Sequence, residues 1–517
     1  MQIGKYKLDT TQEKIVRDTS KYLLVTAGAG SGKTLTILGK IAYLVNVKNI
    51  MPSEILCISF TQAASTSLKN KLKKELNLDI PTYTFHKLSL EILKESKKSY
   101  EISDPDLLDL ITEEFFEQDI LTSTYLLKEV CTYFKEGKQN FQKSYQKIKQ
   151  NKYLQLNQLK HLCITFIRLM KCNDYNLSDF TKFLKRIKSL NYFRYRKEKI
   201  VLELILNIYI KYESYLKENQ EIDFDDMLIK ATNYLKQKEY SPTIKYIIID
   251  EYQDTSYIRF QLIKELLIIT DANLMVVGDD FQSIYKFTGC DVSLFTNFSK
   301  YFKEAKIEKL EKTYRNSETL IKIAGKFIMK NKNQMKKNLY SDKVLTEPIK
   351  IIKYTNIQEQ FLNIIDKLSE YPQNKILVLG RNNKDINKIL NDKIKYKEEK
   401  IIIEKYQELD ITYMTVHKAK GLESDNVIII NLENKVNGFP NQLKEEPLTR
   451  LVTKEEDRYL YSEERRLFYV ALTRTKNYVY LLVPKKNPSI FIEELEQIIY
   501  DVKKEQNFSK LLSKINK

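Results

Sequence analysis

The chain contains no tryptophan, and its five cysteines (Cys57, Cys131, Cys163, Cys172 and Cys290) are scattered without a CxxC pair. That spacing supplies neither a zinc site nor the dense framework of a disulfide-stapled secreted domain, so a reducing cytosol is the expected compartment. No apolar run is long enough to span a bilayer, and the opening MQIGKYKLDTTQEK lacks the apolar core of a secretory signal. A cytoplasmic chain with no membrane partner is expected. Long Pro/Gly linkers and internal repeats are missing too, which argues against tethered modules and against a solenoid. Lys, Ile, Asn and Tyr are abundant beside the missing tryptophan, a bias of the kind that coding gives.

What is present is a chain of 517 residues, 43% hydrophobic and 30% charged, long enough for three or four domains with buried cores. Lys and Arg number 86 against 68 Asp and Glu, a net charge of +18 that favours a polyanionic partner through counterion release. Apolar, β-branched runs read as buried strands at Tyr22–Thr26, Ile55–Phe60, Ile244–Asp250, Leu274–Gly278, Ile376–Gly380, Tyr413–Val416, Val427–Asn431 and Tyr478–Val483. Such runs separated by helical patterns predict parallel sheets covered on both faces. From about Leu88 to Glu221 the pattern is helical. The predicted class is α/β, one domain interrupted by a helical insertion and followed by a second α/β domain.

Ala27–Thr34 reads AGAGSGKT, directly after one candidate strand and before a helical stretch. In a P-loop, glycines bring backbone N–H groups to the phosphates and the helix N-terminus favours negative charge. The lysine reaches the β/γ-phosphates, and the hydroxyl binds Mg²⁺. Ala27, Gly28, Ala29, Gly30, Ser31, Gly32, Lys33 and Thr34 are therefore candidate ATP-binding residues, Thr34 also a metal ligand. Ile247–Asp254 reads IIIDEYQD, an apolar strand ending in adjacent carboxylates. Alone, such an ending is more often a pair of solvated acids. Beside a P-loop it reads as Asp250 holding Mg²⁺ and Glu251 orienting the attacking water as general base.

From these two motifs onward the chain resembles the UvrD/Rep-type superfamily 1A DNA helicases. LDTTQEK carries a Q-motif glutamine, Gln12; ISFTQAA and TFHKL resemble motifs Ia and Ib; IDFDDML resembles the re-entry into the first motor domain. DEYQDTS, VVGDDFQSIYKFTG, LEKTYRNSETL, MTVHKAKGLES and EERRLFYVALTRTK resemble motifs II to VI in order. Within the family, YKFTGCDVSLFTNF and NGFPN are similar to the helicase IV subgroup. The resemblance implies two RecA-like P-loop domains with ATP between them. It divides the chain into 1–88 (first motor domain), 89–221 (helical insertion), 222–303 (first motor domain, continued), 304–500 (second motor domain) and 501–517 (tail).

It also implies site roles. Gln12 reads the adenine edge, Tyr314 stacks on it, and Glu423 contacts the ribose. Gln282 joins Lys33 and Glu251 in the first domain, while Arg315 and Arg474 enter from the second as arginine fingers. Phe60, Thr61, His86, Tyr285, Phe287 and His417 lie where the family contacts single-stranded DNA, by stacking that is indifferent to sequence. Three departures stand out. Leu35 replaces the usual Arg after GKT, Phe287 replaces a common Trp, and only about thirty residues separate ILVLGRNN from motif V. That last gap leaves no room for a second-domain insertion, and the segment after Val483 leaves little for a strand-separating pin. Lys182–Lys199 is basic and carries Phe183, Tyr192, Phe193 and Tyr195; it reads equally as a DNA-backbone contact and as an amphipathic helix. The expected function is a 3′→5′ DNA helicase and single-strand translocase acting on DNA junctions. The alternative is a translocase, or the motor subunit of a repair or anti-phage complex, with a nuclease or another protein as partner.

Overall fold

The computed structural model describes residues 2–96, 100–136, 140–189, 191–237, 242–443, 446–454 and 459–515, with side chains through Phe508. Two sheets organise it. The first comprises β1 (Tyr22–Ala27), β2 (Ile55–Ser59), β3 (Thr82–Thr84), β4 (Tyr246–Ile249), β5 (Asn273–Gly278) and β6 (Lys306–Leu310). All are parallel, in the order β6-β1-β5-β4-β2-β3. The second comprises β7 (Ile349–Tyr354), β8 (Ile376–Gly380), β9 (Ile394–Lys397), β10 (Lys400–Ile403), β11 (Ile411–Thr415), β12 (Ser424–Ile429) and β13 (Thr475–Pro484). Its order is β7-β13-β12-β8-β11-β10-β9, parallel except for the antiparallel pairings of β10 with β9 and β11.

Alternate residues of the continuous apolar strands point to opposite faces, so each sheet needs a cover on both. In β1, Leu23 and Val25 join one buried cluster while Leu24 joins another. In β8, Leu377 and Leu379 face one cluster and Ile376 and Val378 the other. The predicted α/β class with parallel sheets holds. The strands that sequence patterning missed are short or alternate charged and apolar residues. The edge strand β6, KIEKL, buries only Glu308 and Leu310.

Three of the expected boundaries shift. Position 88/89 falls inside the helix Phe85–Glu95, which Thr84 caps by accepting from Lys87 N at 3.2 Å. Residues 306–310, expected in the second domain, pair with β1 in the first sheet. The expected tail continues the helix Ile490–Ile515, with Val502 fully buried. Between β8 and β11, residues 381–410 form two 3-10 segments, Asn383–Lys388 and Glu404–Tyr406, on either side of the β9–β10 hairpin, which extends the second sheet.

The helices between Leu107 and Glu218 bury a separate cluster, which Leu448 and Val452 also join. Its two ends meet where Glu101–Ile102 pairs with Glu221–Ile222 and Ser103 N donates to Ile222 O at 3.0 Å. Lys171, nearly buried on the helix Tyr153–Cys172, locks this root. Its ammonium lies 2.8 Å from Glu213, 2.7 Å from Asp223 and 3.0 Å from Asp226. Burial pulls the Lys171 pKa down, but the three carboxylates outweigh it and hold it well above the lysine range. Removing the cation leaves buried carboxylates uncompensated. Lys171→Met should therefore destabilise the fold by about 3 kcal/mol, read as a lower thermal midpoint by circular dichroism; an unchanged midpoint contradicts this reading.

Candidate active site and nucleic-acid track

The loop after β1 is shaped by its glycines. Gly30 and Gly32 have φ of 69° and 79°, which a side chain rarely tolerates. Gly32 immediately precedes the helix Lys33–Asn46, whose N-terminus therefore faces the loop. Ala27 and Ala29 are buried, Gly28 N donates to Leu310 O at 3.1 Å, and Thr34 is half-buried in the first helical turn. Lys33 Nζ lies 3.1 Å from Glu251. Burial lowers the Lys33 pKa, but Glu251, Asp279 and Asp250 raise it more, so the ammonium persists.

Asp250 and Glu251 directly follow β4. Burial and the neighbouring Glu251 charge push Asp250 up; burial acts likewise on Glu251, but Lys33 and Lys420 overcome it and pull Glu251 down. Glu251 is thus a carboxylate at neutral pH, and it sits at φ 53°, a strained conformation for a side-chain-bearing residue. Gln253, which sequence reasoning passed over, donates to Glu251 at 2.6 Å and accepts from Asp279 N at 2.9 Å.

Groups from the other side of the cleft complete the site. Arg474, fully buried, donates to Gln282 Oε1 at 2.8 Å, and Gln282 donates to Asp279 at 2.6 Å. Burial and the adjacent Arg315 charge lower Arg474 to about 9, which leaves it cationic at neutral pH. Arg315 donates to Glu423 at 2.8 Å, so these two expected contacts of separate parts of the nucleotide are paired with each other. Thr313 Oγ1 donates to Ala29 O at 2.7 Å, and Tyr314 N to Gly30 O at 2.9 Å. Tyr314 is half exposed and its hydroxyl donates to Asp9, whose side chain caps the helix Thr10–Arg17 together with Gln12.

The residues fit a nucleotide. Gln12 is fully buried, yet its Nε2 has no partner; Ser31 Oγ is orphaned too. A Cβ at Gly32 would come within 2.7 Å of that Gln12 nitrogen, and one at Gly30 within 2.6 Å of Arg315 Cβ. Unmade buried hydrogen bonds beside a glycine-lined cradle are what an incoming polar ligand satisfies. Thr34 and Asp250 offer hard oxygen donors of the kind Mg²⁺ takes. Among the described residues no group of three or more His, Cys, Asp or Glu is arranged to hold a metal, so a cation here would draw most of its ligands from water and phosphate. Leu35, the departure after GKT, packs half-buried against the cluster under β1.

One residue carried no sequence signal at all. Lys337, in the lysine-rich NKNQMKKNL, reads as surface but is fully buried; its ammonium lies 2.5 Å from Asp279, 2.6 Å from Asp280 and 3.1 Å from Ala27 O.

Four of the six expected DNA residues form an aromatic wall. The Phe60 and Tyr285 rings stack at 5.8 Å and 7°; Phe287 lies 6.1 Å from Tyr285 and 5.7 Å from His417, and is 59% exposed. Tyr285 donates to His417 O at 3.2 Å. Thr61 caps the helix Gln62–Leu76, while the His86 ring packs against Phe224 at 5.2 Å. Burial lowers both His86 and His417 to about 4, assisted by Arg259 for the first and by Arg381 and Lys420 for the second. Both are neutral at pH 7. Arg259 lies over Phe60 at 4.6 Å and Lys420 over Tyr285 at 4.6 Å, two cations not singled out from sequence.

In the basic run, Phe183 is buried and Tyr195 packs partly against the helical core, whereas Tyr192 and Phe193 are exposed. Lys185, Lys188 and Arg196 face solvent without an ion pair among the described residues. Leu190 lies outside them. Phe183 and Tyr195 follow the amphipathic-helix reading, and Tyr192, Phe193 and the three cations form an exposed face.

A glycine-rich phosphate loop on one parallel sheet, faced by arginines from a second, defines a P-loop nucleotide-cleft protein built from two RecA-like units. The chain belongs to the UvrD/REP helicase family: residues 8–303 match the UvrD/REP helicase N-terminal domain and residues 391–486 the UvrD-like helicase C-terminal domain. It is 28% identical to DNA helicase IV of Escherichia coli (strain K12) over 515 residues, 96% of this chain and 71% of that protein. Against the ATP-dependent DNA helicase Rep of Buchnera aphidicola subsp. Acyrthosiphon pisum the identity is 31% over 381 residues, 71% of this chain and 52% of that one. A probable DNA helicase of Mycoplasma pneumoniae is 26% identical over 92% of this chain and 83% of its own. The chain therefore spans about half the length of its Rep relatives. No helix among the described residues is long and apolar enough to cross a membrane.

The cradle generates a direct test. Gly32→Ala places a Cβ against Gln12 in a conformation alanine disfavours. It should weaken nucleotide binding at least about tenfold, some 1.4 kcal/mol, in fluorescence polarisation with a labelled ATP analogue; unchanged affinity contradicts the placement of the nucleotide.

Proposed function

We propose that this chain is an ATP-dependent DNA helicase that hydrolyses ATP between its two α/β units and uses the closure to move 3′→5′ along single-stranded DNA. The observation that carries this reading is the meeting of Gln282 and Arg474 across a cleft floored by the phosphate loop. The working division is two motor units. The first runs to the end of the helix Phe85–Glu95, is interrupted by the helical insertion and resumes over 222–310; the second covers 311–515 with the whole of the helix Ile490–Ile515.

Lys33 and the N-terminus of its helix hold the β/γ-phosphates, Gln12 reads the adenine edge, and Tyr314 stacks on the base. Mg²⁺, held by Thr34 and Asp250 together with the phosphates, would neutralise charge on the oxygens being separated. Glu251, ionised and fixed by Gln253, accepts a hydrogen bond from the attacking water. Arg474 and Arg315 stabilise charge on the transferring group only when the cleft is closed, which ties chemistry to movement. Phe60, Tyr285, Phe287 and His417 grip bases by stacking, about 1–3 kcal/mol per base; Thr61 and His86 are assigned a flanking role.

A second reading, a translocase or motor subunit that works with a nuclease or another repair or defence protein, is favoured by one observation. The segments where a second insertion and a pin would stand are a short hairpin and the five residues between β13 and the helix Ile490–Ile515. Lys33→Ala should abolish turnover stimulated by poly-dT. Arg474→Ala and Arg315→Ala should bind ATP yet lose about 10³-fold or more in hydrolysis. Translocation on poly-dT should outpace unwinding of a 3′-tailed duplex in the same preparation. Absence of DNA stimulation would refute the motor, and efficient unwinding by the isolated chain would point to another splitting element, with the exposed basic tip around Lys185 and Phe193 the next candidate.

A further inference from the structure

We propose that Lys337 is a positioning residue for ATP hydrolysis, one ammonium that fixes both the phosphate loop and the relay reaching Arg474. The inference rests on the reading of the cleft as a hydrolytic site.

Its side chain is fully buried, as are those of Asp279 and Asp280. A buried ammonium is stabilised only when carboxylates and carbonyls replace the water it loses, and well-packed apolar residues generally serve stability as well. A charge kept in such a place therefore invites a geometric explanation. Lys337 Nζ contacts Asp279 Oδ1 at 2.5 Å and Asp280 Oδ1 at 2.6 Å, donates to Ala27 O at 3.1 Å and lies 4.0 Å over the Phe281 ring. Asp279 Oδ2 accepts from Gln282 Nε2 at 2.6 Å, and Gln282 Oε1 accepts from Arg474 at 2.8 Å. The ammonium thus orients the carboxylate, the carboxylate orients the amide, and the amide holds the guanidinium. The same ammonium braces the residue that opens the phosphate loop.

The segment carrying Lys337 is tied down on both sides. Met335 N donates to Asp280 Oδ2 at 2.8 Å, and Asn338 N to Glu311 at 2.7 Å. Tyr340 O accepts from Thr313 N at 2.8 Å, beside the Thr313 hydroxyl that donates to Ala29 O. A displacement of this segment therefore reaches the loop by two routes. Lys337 acts through these groups, which makes its role positioning and not catalytic.

The test compares Asp280→Asn with the double variant Lys337→Met/Asp280→Asn, assayed as full-length chain for poly-dT-stimulated ATP turnover and for binding of a labelled ATP analogue. The double variant keeps the net buried charge of the native cluster, because one ammonium and one carboxylate are neutralised together. It carries the test where Lys337→Met alone fails to fold. The expected result is a kcat at least about 30-fold below that of Asp280→Asn, with KM for ATP within about threefold. In a Gln282→Ala background the further loss from the Lys337 change should be clearly smaller than in the native background, since the relay is already cut and only the brace on Ala27 O is left to lose. A double variant that turns over within threefold of Asp280→Asn overturns the proposal. So does an undiminished further loss in the Gln282→Ala background, which would make Lys337 a structural charge. If Asp280→Asn and the native chain both lack DNA-stimulated turnover, it is the motor reading that fails.

Discussion

A guanidinium cannot be stripped of water without partners, and among the described residues of its own unit Arg474 donates only to the main-chain carbonyls of Val470 and Leu422. Its one side-chain acceptor, Gln282, lies beyond the end of β5 in the other sheet. Burying the arginine therefore requires the two units to meet at that atom, and the meeting point is beside the phosphate loop. The apolar cluster that accompanies it is mixed in the same way: Ala29, Phe281 and Ile284 of the first unit pack with the helices and strands of the second. Non-directional burial holds the units together, while the charged contact fixes their register.

The cleft and the aromatic wall are physically continuous. Lys420 lies over Tyr285 on one side and pairs with buried Asp254 on the other, and Asp254 is raised to about 6 by burial that Lys420 only partly offsets. Asp254 neighbours Gln253, which holds Glu251. From the ring that would stack on a base to the carboxylate that would orient water, every step is a hydrogen bond, an ion pair or a ring contact.

The sequence made much of this legible because P-loop chemistry requires particular residues at particular spacing, and apolar runs report strands buried on both faces. Those runs identified β1, β2, β4 and β5 and their counterparts in the second sheet to within a few residues. They could not report β6, whose KIEKL pattern buries Glu308 and exposes Ile307 at a sheet edge, nor the hairpin β9–β10, where Lys395, Lys397, Glu398, Glu399 and Lys400 break up the apolar residues. The site failed to show through where function depends on burial. Lys337 and Lys420 look like solvated lysines until the fold encloses them, and Arg259 is a lone cation in the first turn of the largely apolar helix Tyr257–Thr270. His86, expected on the track by its motif, has its ring against Phe224, a contact its motif does not show. Motif spacing locates a residue along the chain; packing alone decides which way it faces.

The central claim is that groups of the two units act as one through direct contact, and a double-mutant cycle on Gln282 and Arg474 addresses it most directly. Poly-dT-stimulated turnover would be measured for the native chain, Gln282→Ala, Arg474→Ala and the pair together. If the contact assembles the site, each single change costs orders of magnitude and the double variant is little worse than the poorer single one. Multiplicative losses, each residue contributing independently of the other, would contradict the account.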